Sequence, residues 1–224
     1  MSDVRGGGAC SPKRSVLRTP VPCRSSNRIG CCTSRIVMGA GSDDDKRRHD
    51  TCEEWKNSAM KDAYVRFMVA AMATAGCRID ASYFKCQPCD RLVGGGLYYD
   101  DDGNSSVILC ENRLTSESQT ATVAAHELIH AFDNCRAHHD PGNLQHHACT
   151  EIRAASLSGD CRFMNEIMRG HYKVMKQHQA CVRRRAILSV RMNPNCQNDE
   201  QAATAVDSVW DTCFADTAPF ERLP

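Results

Sequence analysis

From Asp50 onward, apolar side chains recur at three- and four-residue intervals: Trp55, Ala59, Met60, Tyr64, Phe67, Met68, Ala71 and Met72. That period predicts an amphipathic helix, with Gly76 placed to end it as the residue after the C-cap. A loop carrying Cys86-Gln87-Pro88-Cys89 follows, and then the glycine run Gly94 to Gly96. Two short strand-like runs, Leu97 to Tyr99 and Val107 to Cys110, flank Asp102-Gly103-Asn104, whose residues tolerate positive φ, so a hairpin is predicted. Helical patterning returns over about Ser118 to Arg136 and about Leu144 to Leu157, the latter ended near Gly159. One long helical stretch is expected from Cys161 to Met192, stopped before Pro194, and a last helix from Asp199 to Phe214.

The first 42 residues break this patterning. They hold Arg5, Lys13, Arg14, Arg18, Arg24, Arg28 and Arg35 against the single acid Asp3, amid Ser, Gly and Pro. This composition is that of a disordered tail, and its Arg- and Ser-rich, acid-poor bias resembles an organelle transit segment; a plain extension is the alternative. Asp43-Asp44-Asp45-Lys46-Arg47-Arg48 reads as a solvated linker. The expected division is therefore a basic tail over 1–48 and a folded domain over 49–224. The whole chain of 224 residues carries 28 basic and 27 acidic side chains, which excludes the strong basic excess of a nucleic-acid binder. No stretch approaches about 18 uninterrupted apolar residues, so no transmembrane helix is predicted.

Cysteine changes the picture. There are 15, four in the tail and eleven from Cys52 to Cys213. The single tight pair, Cys86 and Cys89, lacks the second C-x-x-C of a Cys₄ zinc module and any surrounding βαβ pattern of a redox protein, so structural disulfides are expected. Disulfides imply an oxidising compartment, yet no apolar core of a secretory signal stands at the N-terminus.

The segment His126-Glu127-Leu128-Ile129-His130 carries the chemistry. On a helix, residues four apart share a face, so both imidazoles can reach one Zn²⁺. Glu127, next to the first ligand, is placed to hold a water and take its proton, as in the H-E-x-x-H arrangement of zinc peptidases. The bland alternative is two exposed histidines; the apolar Leu128 and Ile129 and the small Ala124, Ala125 and Ala131 favour a helix sunk beneath a cleft. A third ligand is required, and Asp133 and Arg136 stand where the longer H-E-x-x-H-x-x-G-x-x-H pattern needs Gly and His, which excludes that class. Glu151 fits as a ligand from the next helix, where Ala154 and Ala155 permit close approach. Asp133, His138/His139 and His146/His147 remain competitors. Asp133 shares the helix of both histidines and suits better a role in orienting a ligand or Arg136. His171, Tyr172 and His178 read as a polar helix face, with donation to an oxyanion as the alternative.

The runs His126 to Asp133, Cys135 to His138, Ala148 to Ala155 and Ser158 to Cys161 resemble a known family. Cys86 to Asp90, Ile108 to Asn112, Trp210 to Cys213 and Pro219-Phe220 fit it too. It is the family of mitochondrial inner-membrane metalloproteases that also assist ATP synthase assembly. The likeness covers roughly residues 52–224 and leaves out the tail. It implies an α+β, helix-rich, zincin-like domain with a small sheet beside the H-E-x-x-H helix. It further implies one Zn²⁺ per chain, held by His126, His130 and Glu151, with Glu127 catalytic. The enzyme it implies is peripheral on the intermembrane-space face of the inner membrane and removes the presequence of the ATP synthase subunit 6 precursor. A second, non-proteolytic role follows: joining subunit 6 to the subunit 9 ring. An intermembrane-space location would reconcile disulfides with the missing secretory signal. The rival expectations are an assembly chaperone with a dispensable metal site and, more remotely, a disulfide-stabilised binding module without zinc. Two structural expectations remain: that the edge of Val107 to Leu109 pairs with extended substrate, and that the eleven cysteines form up to five disulfides with at least one thiol free.

Overall fold

The computed structural model describes residues 42–100, 102–171 and 176–224. Residues 1–41 of the expected tail, and Tyr172, lie outside the described residues. In chain order the elements are α1 (Asp43–Ala59), α2 (Ala63–Thr74), a 3₁₀ turn (Ala81–Tyr83), β1 (Phe84–Gln87), β2 (Gly95–Tyr99) and β3 (Ser105–Cys110). Then come α3 (Glu117–Arg136), α4 (Leu144–Leu157), α5 (Phe163–Met168), α6 (Gln177–Arg191) and α7 (Asp199–Ala215). The fold is α+β and helix-rich, as expected.

Local chemistry explains where the helices depart from the periodicity. The run Asp43 to Arg48 is not a linker but the first turns of α1. Ser42 and Asp45 form a reciprocal capping box, and Asp43, Asp44 and Asp45 sit at the positive end of the helix dipole. The expected helix from Asp50 to Gly76 is two helices, because Asp62 accepts from the backbone N–H groups of Tyr64 and Val65 and restarts the chain as an N-cap. Gly76, with φ +95°, ends α2 as predicted. The expected helix from Cys161 to Met192 is also broken: Gly170, with φ +84°, terminates α5, and α6 starts only at Gln177.

The hairpin forms, with β2 and β3 antiparallel from Gly95↔Leu109 to Tyr99↔Ser105. A third strand, β1, joins parallel to β3 where a loop was expected, and the order is β1-β3-β2. Its alternation is that of a half-buried strand, Phe84 and Cys86 inward and Lys85 and Gln87 outward. The expectation of a free edge at Val107 to Leu109 is therefore wrong: β3 is the centre of the sheet, and the open edges belong to β1 and β2.

Two hydrophobic cores divide the described chain. Val65, Met68, Met72, Phe84, Val107, Leu109, Leu128 and Ile129 fill the first, between α1, α2, α3 and the sheet. Ile152, Val182, Ala186, Val190, Ala202 and Val206 fill the second, between α4, α6 and α7. Helix α4 belongs to both, giving Ala154 and Leu157 to the first core and Ala148, Ile152 and Ala155 to the second. Its run of alanines keeps both neighbours close. The chain end returns to the first core, where Phe220 stacks on Tyr64 and Phe67 at 5.0 and 4.8 Å between ring centres.

Five disulfides are present: Cys52–Cys86, Cys77–Cys135, Cys89–Cys110, Cys149–Cys213 and Cys161–Cys181. Cys86 and Cys89 thus belong to separate bridges, as expected. Cys196 is the free cysteine among the described residues and is buried. When the denatured, unreduced protein is alkylated and mapped by mass spectrometry, the Cys196 peptide should be the one labelled within residues 42–224. Removing Cys149–Cys213, which closes 64 residues, should cost about 4 kcal/mol in the chain-entropy picture, read from denaturant melts. Labelling of Cys149 or Cys213 in unreduced protein would refute that bridge.

Candidate active site

Helix α3 carries His126, Glu127, His130 and Asp133; α4 carries His147, Thr150, Glu151 and Arg153. The helices meet at the seam of the two cores, so the site is assembled from both. His126 and His130 lie one turn apart, their rings 4.9 Å between centres in an edge-to-face pair. Glu151 projects from α4 to meet them: its carboxylate oxygens lie 3.7 Å from Nε2 of His126 and 3.4 Å from Nε2 of His130. Among the described residues, these three are the group whose donor atoms all fall within 4.8 Å of one another.

That spacing suits a small tetrahedral cation. Two ligands at about 2.05 Å from Zn²⁺ and a tetrahedral angle apart lie about 3.3 Å from each other. The 3.7 Å from His126 to Oε2 of Glu151 and the 3.4 Å from His130 to its Oε1 are near that value. Two imidazole nitrogens and one carboxylate oxygen are also the donor set of catalytic zinc sites that leave a fourth position open.

The hydrogen bonds around His130 prepare it for such a role. Thr150 donates its hydroxyl proton to Asp133 Oδ2 at 2.9 Å, so its oxygen accepts from Nδ1 of His130 at 2.8 Å. The ring proton then sits on Nδ1 and the Nε2 lone pair faces Glu151. Burial holds the His130 pKa down at about 3, keeping the ring neutral. Asp133 is in turn fixed by Arg153, whose Nε lies 3.0 Å from both carboxylate oxygens, and by Arg136 Nε at 3.1 Å. Asp133 therefore stands behind the histidines rather than among the donors.

The other titratable groups respond to the same crowding. For His126, burial opposes the charged form, but Glu151, Glu127 and Asp160 outweigh it and raise the pKa to about 9. Burial also opposes the charge on Glu151, yet the hydrogen-bonding imidazoles of His126 and His147 hold its carboxyl well below the usual carboxylate range. Glu127 is pushed up to about 7 by burial, with the Glu151 charge adding to the effect and His126 opposing it. Strand β2 covers Glu127 closely, because Gly94 and Gly95 have no side chains: a Cβ on Gly95 would lie 2.7 Å from Val123 Cγ1 and from the Ile108 carbonyl oxygen.

Of the remaining candidates, His138 is exposed, and His146 accepts from the Asp140 backbone N–H at 3.2 Å. His178 lies 3.3 Å from the Ser156 carbonyl, and His171 is exposed. Thr150 and Arg153 were not singled out from the sequence, although an arginine between Ile152 and the pair Ala154-Ala155 is a signal of a buried ion pair. His147 was weighed only as a rival ligand; its spacing of four from Glu151 places both on one helix face.

A buried helix with two histidines and a glutamate, met by a second carboxylate beside a small sheet, is the arrangement of a metallopeptidase site. The sequence matches the model of the Peptidase M76 family over residues 50–221, and the chain belongs to that family. It is 43% identical over 187 residues to a protein of Malassezia globosa named mitochondrial inner membrane protease ATP23, covering 76% of each chain. A Saccharomyces cerevisiae protein of the same name is 44% identical over 181 residues, 77% of this chain and 78% of that one. The Homo sapiens homolog is 44% identical over 163 residues, 72% of this chain and 65% of that one. No solved structure matches the chain.

Thr150→Val removes the hydroxyl that links His130 to Asp133 while keeping shape. With zinc as the ion these three donors hold, the change should weaken zinc affinity about 10–100-fold in a competition titration, with Glu151→Gln weakening it more. The reverse ranking would take the ligand role away from Glu151.

Proposed function

We propose that the chain is a zinc-dependent endopeptidase, with His126, His130 and Glu151 holding one Zn²⁺ and Glu127 as general base. The convergence of two imidazole nitrogens and a carboxylate, with donor atoms all within 4.8 Å of one another, carries this reading. When bound, Zn²⁺ supplies Lewis acidity that polarises a carbonyl and acidifies water towards neutrality. Glu127 takes the proton of the attacking water and hands it to the leaving amine. Extended substrate pairs with β2, the sheet edge beside Glu127, through main-chain hydrogen bonds.

We place the enzyme on the mitochondrial inner membrane, peripheral, on the intermembrane-space side. The names of the relatives support the membrane, and five disulfides support an oxidising compartment. None of the described helices is long and apolar enough to cross a membrane. The substrate is the ATP synthase subunit 6 precursor, losing its N-terminal presequence, and a separate role brings subunit 6 to the subunit 9 ring. Both rest on the family resemblance.

Glu127→Gln should retain zinc and lose presequence cleavage by several orders of magnitude, while ATP synthase assembly survives in cells carrying only this variant. Cleavage of a precursor peptide at near wild-type rate would end the general-base role. Metal uptake should also release protons. At pH 7 the metal-free His126 holds a proton that ligation must displace, so affinity rises with pH up to about 9 and falls as the medium is acidified. Titration calorimetry in buffers of different ionisation enthalpy measures this release; enthalpies independent of the buffer would refute it.

A further inference from the structure

Three imidazoles, not two, crowd the Glu151 carboxylate. Nε2 of His147 lies 3.4 Å from Oε1, as close as Nε2 of His130. A peptidase with three histidines and a glutamate all ligating would have no open position, so the role of His147 decides whether the site can work.

The surrounding hydrogen bonds settle where its proton sits. The Asn193 side-chain amide is oriented twice over: its Oδ1 accepts from the Asn195 backbone N–H at 3.0 Å, and its Nδ2 donates to the Pro141 carbonyl at 2.9 Å. The second hydrogen on Nδ2 is left for Nδ1 of His147, 2.9 Å away. Nδ1 of His147 is therefore an acceptor, and the ring proton is on Nε2, facing Glu151. His130 is the opposite tautomer, with its proton on Nδ1 towards Thr150 and a bare Nε2.

We infer that His147 is a positioning residue: Asn193 holds it as the Nε2–H tautomer, in which it donates to Glu151 and cannot itself ligate. At 3.4 Å the contact is longer than a formed hydrogen bond, and a small rotation of the carboxylate closes it. The inference deepens the zinc-peptidase reading and rests on it. It adds that Asn193, beyond the end of α6, controls how many imidazoles face the metal.

The test uses the full-length protein, with Zn²⁺ competition titrations and X-ray absorption to count imidazole ligands. Wild type should show two imidazoles. His147→Leu should still show two but bind Zn²⁺ about 10–100-fold more weakly. His147→Gln, whose amide N–H stands near the position of Nε2–H, should recover most of that loss. Asn193→Asp replaces the donor with an acceptor, moves the ring proton to Nδ1 and should bring a third imidazole onto the metal. Three imidazoles in wild type, falling to two in His147→Leu, would make His147 a ligand and overturn the inference. Unchanged affinity in both His147 variants would overturn it as well. Wild type that takes up no Zn²⁺ would instead sink the zinc-peptidase reading beneath it. Should the Leu variant fail to fold by circular dichroism, the imidazole count of wild type and the Gln and Asn193 variants decides.

Discussion

The guanidinium of Arg153 is 1% exposed, and the geometry of the site depends on it. Its Nε sits between both oxygens of Asp133 on α3, while its terminal nitrogens reach Asp216 and the carbonyls of Asp216 and Ala218. One planar side chain thus binds α4 to α3 and to the returning chain end. Burying such a pair gains little net stability, but losing one partner strands a charge and costs about 3–5 kcal/mol. Lysine, a point charge without the planar fork, cannot satisfy all of these acceptors at once. The same Asp133 accepts from Thr150, so the spacing that secures the fold also aims the lone pair of His130. The fold and the orientation of His130 share one carboxylate.

Around that pair the structure is two cores with a common wall. Helix α4 buries the small Ala148, Ala154 and Ala155 among its contacts, which lets α3 and the α6–α7 pair come close enough for side chains from both to converge. Close approach recurs on the other side of α3, where Gly94 and Gly95 let β2 lie against Glu127 and exclude water from it. Burial raises the Glu127 pKa, the Glu151 charge adds to it, and a hydrogen bond from the Leu97 backbone of the same strand opposes it.

Much of this was legible in the sequence where the governing interactions are local. The four-residue spacing of His126 and His130, the turn at Gly103, the stop at Gly76 and the helix bearing Glu151 all follow from short-range geometry. The start of α1 was equally local, since Ser42-x-x-Asp45 is a capping box, but the charge run masked it. What escaped were features defined by distant partners. Strand β1 is four residues long and exists because β3 supplies its hydrogen bonds; once it is added, β3 loses its free edge. Thr150, Arg153 and Asn193 act on residues 17, 20 and 46 positions away. No periodicity encodes such pairings. The break at Gly170 was visible as a residue but not as a boundary, because glycine within a helical pattern is tolerated at a cost of about 1 kcal/mol.

The disulfides divide as the cores do. Three join residues between Cys52 and Cys135, two join residues between Cys149 and Cys213, and none links one group to the other. Each group of crosslinks can therefore close without a partner from the other. The peptidase centre, drawn from both halves, comes together only when the second half closes on the first. No bridge joins α3 to α4, so the candidate site is held across that seam by packing and by hydrogen bonds such as those from Arg153 to Asp133.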